Sequence, residues 1–190
     1  MEPLLVSTLV VAISEIGDKT QLLAILLATR FKQPWPIIAG IFCATIANHL
    51  LASLAGYYLS SFLSGPWFKT LIALSFLAMA GWALIPDKVD ELKTDTGRLG
   101  VFLTTLVAFF LVEIGDKTQI ATLALAARFH TVLLVAAGTT LGMMIADVPA
   151  VLLGEAATRI VPLKYVRIGT AVIFAGLGLW ALAQIFGWAR

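Results

Sequence analysis

The heptapeptide Glu-Ile-Gly-Asp-Lys-Thr-Gln occurs twice, as Glu15–Gln21 and Glu113–Gln119, each time within a run of otherwise apolar residues. The copies lie 113 − 15 = 98 residues apart, and the same shift holds far beyond them. Glu15–Phe31 and Glu113–Phe129 are identical at 11 of 17 positions, including Leu27/Leu125, Ala28/Ala126 and Arg30/Arg128. Without a gap, the shift also aligns Gly40 with Gly138, Gly56 with Gly154, Phe76 with Phe174, and Trp82-Ala83-Leu84 with Trp180-Ala181-Leu182. The chain is a duplication, and its fold must seat two equivalent charged motifs.

The solvent for those motifs follows from composition. Of 190 residues, 60% are hydrophobic and 13% charged, with a mean hydropathy of +0.97. A soluble domain is nearer half apolar and a quarter charged. A core of this size cannot hide the excess, so lipid must cover much of the surface. Six stretches are long enough for a membrane helix, at roughly 4–28, 34–60, 67–85, 101–126, 132–156 and 166–187. The expected fold is an all-α integral membrane protein of six transmembrane helices. It divides into a three-helix repeat over 1–86, a charged linker over 87–99 and a second three-helix repeat over 100–190. The start Met1-Glu2-Pro3 has no basic region, and the first apolar run holds Glu15, Asp18 and Lys19, so it reads as a permanent helix and not a signal peptide. A net charge of +2 argues against a nucleic-acid partner, and the single cysteine, Cys43, excludes an intrachain disulfide or a Cys-based zinc site.

Lysine and arginine set the expected orientation. The connections after the first, third and fifth stretches hold Arg30, Lys32, Lys88, Lys93, Arg98, Arg159, Lys164 and Arg167, while the other side holds Lys69, Arg128 and Arg190. That places the odd-numbered connections in the cytoplasm and both termini outside it. With three helices per unit, the second repeat runs through the membrane inverted, a plan whose sites lie near the midplane between the repeats.

Each charged residue at that depth costs ~2.5–3.5 kcal/mol on insertion scales, so six need a reason. On a continuous helix Glu15, Asp18 and Gln21 share one face, Lys19 borders it, and Thr20 lies further round unless the helix unwinds. Gly17 and Gly115 permit such a break without requiring it. The expected metal ligands are Glu15, Asp18, Gln21, Glu113, Asp116 and Gln119, with Lys19, Thr20, Lys117 and Thr118 as accessory groups. Four carboxylates and two ammonium groups leave a formal charge of −2, which one divalent cation neutralises. Carboxylate and amide oxygens are hard ligands that suit calcium, magnesium or manganese. When the metal leaves, low dielectric and mutual repulsion favour proton uptake by the same acids, which is the minimum chemistry of a cation/proton exchanger. The simpler reading is a pair of structural i,i+4 bridges, Glu15–Lys19 and Glu113–Lys117; these would not need Asp18, Asp116, Gln21 and Gln119.

The doubled Glu-x-Gly-Asp-Lys-Thr motif, with three helices per half and a charged central loop, resembles the calcium/cation antiporter-2 family of Golgi, chloroplast and bacterial manganese and calcium exporters. The resemblance covers the whole chain. It implies proton-coupled export of Mn²⁺, or next Ca²⁺, from the cytosol across a cell (inner) membrane. It also implies that Glu15, Asp18, Glu113 and Asp116 bind the ion, and that no cofactor is used. The short chain is similar to prokaryotic members, in which manganese export is the more usual role.

The repeats differ in their second helices, where Asn48 and His49 align with Ala146 and Asp147. His49 suits packing, ligation or proton relay, and Asp147 is a fifth costly acid. A His49–Asp147 pair near the pseudo-axis is the expected arrangement to look for. Ser14, Thr45 and Thr122 are further hydroxyl candidates. Gly138, Gly142, Gly176 and Gly178 read as packing positions. Trp35, Trp67 and Trp188 read as interfacial anchors, and Arg30 and Arg128 as side chains reaching toward headgroups. The alternatives are a six-helix small-solute exporter resembling the lysine-exporter group, and an intramembrane hydrolase with Glu-x-x-Asp as acid and base. The hydrolase lacks any nucleophile or His-Glu-x-x-His signature, so a non-enzyme is expected. A channel conflicts with the tight divalent binding that four clustered acids imply. Oligomeric state is left open.

Overall fold

The computed structural model of the protein describes residues 1–63, 65–85, 100–154 and 163–187. The charged linker and the residues Lys88, Lys93, Arg98, Arg159, Trp188 and Arg190 lie outside them. The described residues form eight helices and no strand: α1 (Glu2–Glu15), α2 (Lys19–Phe31), α3 (Pro34–Phe62), α4 (Pro66–Ala83), α5 (Gly100–Glu113), α6 (Lys117–Phe129), α7 (Val132–Leu153) and α8 (Leu163–Ile185). Proline in the first helical turn starts α1, α3 and α4, where a missing N–H costs no bond and φ is already helical. Three helices are long and apolar enough to cross a membrane: α3 with 29 residues, α7 with 22, and Lys164–Ile185 of α8 with 22. The protein is therefore a multi-pass membrane protein.

The first and fourth apolar stretches are each two helices. α1 stops at Glu15 and α2 starts at Lys19; α5 stops at Glu113 and α6 starts at Lys117. At both breaks the glycine has φ 78°, a left-handed conformation that a Cβ disfavours. The next residues, Asp18 and Asp116, are extended, with φ −79° and ψ 170° and 165°. The single helical face expected to carry Glu15, Asp18 and Gln21 therefore does not exist: the glycine turns the chain between the acids. Within a bilayer such a break is tolerable only where protein surrounds it.

The halves interlock. α1 packs along α7, and its repeat equivalent α5 packs along α3. Glycines let these backbones touch. A Cβ on Gly138 would stand 2.5 Å from the Leu4 carbonyl oxygen, and one on Gly40 2.8 Å from the Phe102 carbonyl oxygen, which are equivalent contacts in the two repeats. Gly142 meets Thr8 and Ala12 in the same way, and Gly178 meets Leu77 and Ala73. Gly176, expected as a fourth packing glycine, has nothing within 4 Å of where its Cβ would lie.

The remaining helices, α4 and α8, form a pair with Phe76 stacked on its equivalent Phe174, ring centroids 6.5 Å apart. This pair is seated asymmetrically. α8 packs on α1 and α4 on α6, whereas the contacts of α4 with α5 and of α8 with α2 are at most marginal among the described residues. Val10, Ala121, Ala124 and Leu125 are buried with Phe76, Met79, Ala80 and Phe174. On the opposite flank Leu26, Leu111 and Ile114, equivalent to Ala124, Ile13 and Ile16, are exposed at 44%, 60% and 54%.

A Cβ on Gly56 would stand 2.1 Å from the Leu123 carbonyl oxygen, with no flexible side chain to yield. Gly56→Ala should destabilise the protein by about 1–3 kcal/mol, lowering its melting temperature in detergent, whereas Gly176→Ala should leave that temperature unchanged.

Candidate metal centre

The two helix breaks face each other, and the charges cross between them. Lys19 Nζ lies 3.1 Å from Asp116 Oδ1, and Lys117 Nζ lies 2.7 Å from Asp18 Oδ1. Each lysine is thus paired with the aspartate of the other motif, and the local i,i+4 bridges to Glu15 and Glu113 are not what the lysines form. Backbone needs explain the rest of each motif. Leaving the helix frees the Gly17 and Gly115 N–H groups, which donate to Gln21 Oε1 and Gln119 Oε1, both at 2.7 Å. The glutamines expected as ligands therefore hold the breaks through their side-chain oxygens. Gln21 also donates from Nε2 to the Ala146 carbonyl at 3.1 Å, tying the break to α7.

Glu15, Asp18, Glu113 and Asp116 are all essentially buried. Three of them converge: Glu15, Asp18 and Asp116 each offer an oxygen within 4.8 Å of the others. Oxygens on opposite sides of a calcium ion lie about 4.6–5.2 Å apart, twice the metal–oxygen distance, and those around a smaller ion lie closer. The spacing suits a divalent cation. Glu113 is engaged elsewhere: His49 Nε2 lies 2.9 Å from its Oε1, and Asn48 donates from Nδ2 to its Oε2 at 3.1 Å and to the Phe110 carbonyl at 3.0 Å.

The difference lies in the second helices. At the places equivalent to Asn48 and His49 on α3, α7 carries Ala146 and Asp147, which cannot donate to Glu15. Thr20 does so instead, through its hydroxyl to Glu15 Oε2, while the equivalent Thr118 hydroxyl has no partner among the described residues. Helix unwinding brings Thr20 back to Glu15. The expected His49–Asp147 pair is not formed, because His49 is bound to Glu113. Asp147 is fully buried with both carboxylate oxygens lacking a hydrogen-bond partner among the described residues. By the repeat shift it is equivalent to His49, as Glu15 is to Glu113. Of the other hydroxyl candidates, Ser14 and Thr122 donate to carbonyls of their own helices, and Thr45 is buried without a partner among the described residues.

A cleft of about 10 Å³ reaches Asp18 and Lys117 between Ala83 of α4 and Val166, Arg167 and Thr170 of α8. Thr170 closes it by donating to the Ile13 carbonyl at 3.2 Å. Sequence reasoning passed over Thr170, and its equivalent Ile72 marks the asymmetry only once the packing is known.

Comparisons with known proteins point to a family of divalent-cation transporters. The family model for the divalent cation/proton antiporter GDT1 matches residues 3–91 and 101–188. A protein of Vibrio cholerae described as "Putative manganese exporter" is 49% identical over 187 residues, covering 98% of this chain and 92% of its own length. The GDT1-like protein sll0615 of Synechocystis is 26% identical over 203 residues, covering 96% of this chain and 95% of its own. GDT1-like protein 3 of Oryza sativa subsp. indica is 26% identical over 205 residues, covering 94% of this chain and 72% of its own. No solved structure matches.

Removing one partner of a buried ion pair strands the other charge, at about 3–5 kcal/mol. Asp18→Asn and Lys117→Gln should each lower the melting temperature, and the double variant should lose less than the sum of the two. Additive losses would show that the pair does not couple the motifs.

Proposed function

The chain belongs to the divalent cation/proton antiporter family GDT1, and from that premise we propose that it exports Mn²⁺, and less readily Ca²⁺, from the cytosol in exchange for protons by alternating access. The family is one of transporters and not of enzymes, which removes the hydrolase reading, and a divalent substrate displaces the amino-acid reading. The observation that carries the proposal is the convergence of Glu15, Asp18 and Asp116 at two facing helix breaks.

The ion is the substrate. In the arrangement described, Lys19 and Lys117 hold the aspartates. An entering divalent cation competes with them, and its double charge on three carboxylates outweighs a single ammonium on each of two. Protons replace the ion on the same carboxylates when it leaves, so ion and protons exclude each other. Glu113, held by His49 and Asn48, stands as the fourth acid, engaged or released as the site changes shape. We further propose that α1–α2 and α5–α6 each make one broken span. That gives six spans in two inverted repeats with both termini outside the cytoplasm, in the inner membrane of a bacterial cell.

The seating of α4–α8 supports alternating access. The repeat offers two equivalent seats for this pair: against α1 and α6, as described, or against α5 and α2. Moving between them would open the Asp18 side and close the Asp116 side, replacing the Thr170–Ile13 contact with an Ile72–Leu111 contact.

In proteoliposomes under a pH gradient, Mn²⁺ addition should drive counter-flow of protons. Glu15→Gln, Asp18→Asn or Asp116→Asn should each abolish that flux. Flux that survives Glu15→Gln together with Asp116→Asn would remove the site. With Cys43 replaced by Ser, oxidant should link Thr170→Cys to Ile13→Cys and, in other molecules, Ile72→Cys to Leu111→Cys, each link stopping flux. Failure of the second pair to link under any ion or pH condition would remove the two-seat motion.

A further inference from the structure

A large cavity lies apart from the acid cluster. It has a volume of about 880 Å³ and lies at the end of the bundle where α3 and α6 finish and α4 begins, bounded by the C-terminal part of α8. Its lining includes Lys69, Arg128 and His130 against a single acid, Glu2. This is the wrong sign for a cation vestibule. The volume is also far beyond the need of an ion, since one water occupies about 30 Å³ of liquid.

Arg128 is the centre of the site. Its guanidinium lies 4.2 Å above the Trp180 ring and 5.8 Å from the centroid of Phe129. Among the described residues its one hydrogen bond is a long one, 3.4 Å from Nη2 to Gln184 Oε1. Its Nε is buried without a partner, and it makes no ion pair among the described residues. The side chain is therefore not freely extended. It is docked flat on an indole, which sets the plane of the guanidinium and leaves donors unused. A planar guanidinium with spare donors recognises a phosphate or carboxylate in bidentate fashion, and phosphate offers the fuller set of acceptors. Lys69 adds a point charge. His130 has its Nδ1 placed 3.2 Å from Ser60 Oγ, and its left-handed backbone, φ 50°, is locked by the bond of its N–H to the Ala126 carbonyl at 2.9 Å.

We propose that this cavity is a site for a phosphate-bearing anion, bound through Arg128, Lys69 and His130. Two sources share that chemistry, a phospholipid headgroup and free phosphate. The surroundings favour the lipid: Phe68 and Ile72 give the cavity an apolar wall, and Trp67 and Phe62 are exposed beside it, as aromatic side chains are at a membrane interface. The cavity is lined by α4, α6 and α8 as they are seated here, so an occupant would favour the described seating of α4–α8. The site is independent of which cation is transported.

The test uses the full chain, delipidated in a neutral detergent, with melting temperature and native mass spectrometry as readouts. The probes are dioctanoyl phosphatidylglycerol, dioctanoylglycerol and inorganic phosphate. Phosphatidylglycerol should raise the melting temperature saturably and appear as one bound lipid, and dioctanoylglycerol should do neither. Arg128→Gln should weaken the binding at least tenfold, and Lys69→Gln, an exposed position expected to fold normally, severalfold. If inorganic phosphate alone matches the lipid and competes with it, the proposal stands with free phosphate as the source. Equal stabilisation by dioctanoylglycerol would overturn it, since no phosphate would then be recognised. Unchanged lipid affinity in Lys69→Gln together with His130→Gln would also overturn it, even if Arg128→Gln failed to fold.

Discussion

The structure depends on a pair of buried charges that neither half can satisfy alone. Lys19 reaches Asp116 and Lys117 reaches Asp18, so the motif of each repeat is completed by the other. A lone buried charge is costly enough that it would be neutralised or expelled, so the crossing of the pairs dictates that the two helix breaks meet. The packing follows from this: α1 lies along α7 and α5 along α3, placing the first helix of each repeat against a helix of the other. Gly40 and Gly138 supply the close approach that this interlocking needs. The glycines at the breaks are the other half of the bargain. With φ 78° at Gly17 and Gly115, the chain turns so that Asp18 and Asp116 face across the interface and not along a helix.

Identical motifs do not make identical sites. Both glutamines bond their glycine N–H groups at the same 2.7 Å, yet the two glutamates have different partners. Glu113 is taken by His49 and Asn48, and Glu15 by Thr20. Two substitutions on the neighbouring helices decide this, Asn48/His49 against Ala146/Asp147. A donor-bearing wall withdraws one acid, and an acidic wall leaves the other available. Three of the four acids are therefore brought together, and the fourth, Glu113, is held apart.

The duplication, the apolar spans and the membrane as solvent were legible because each is carried by many residues at once. The break was only permitted by the sequence. Glycine in a helix interior costs about 1 kcal/mol, small enough for tertiary contacts to decide either way, and a helical wheel built on continuity then misplaced Thr20. The lysine partners were illegible for a related reason. Glu15 is four residues from Lys19 in sequence, so a local bridge and a crossed pair satisfy the same composition, and only the meeting of the breaks selects the crossed one. His49 had two acidic partners available in principle, and the register of α3 against α5 gives it Glu113. The seating of α4–α8 left no sequence trace, since Ile72 and Thr170, like Leu111 and Ile13, are ordinary membrane-helix residues.

The same asymmetry bears on how a duplicated fold could work as an exchanger. If the two halves were identical, the α4–α8 pair would have two seats of equal energy, and nothing in the protein would favour one side of the membrane. Here Thr170 offers a hydroxyl to the Ile13 carbonyl freed near the end of α1, and its equivalent Ile72 has none to offer Leu111. A single hydrogen bond of this kind is worth about 0.5–1.5 kcal/mol, a several-fold bias that a bound ion can readily overcome. A resting bias of that size is small enough for a bound ligand to reverse. The motif and packing glycines that the repeats share would keep two such seats comparable, and positions that differ, such as Thr170 against Ile72, bias the choice between them.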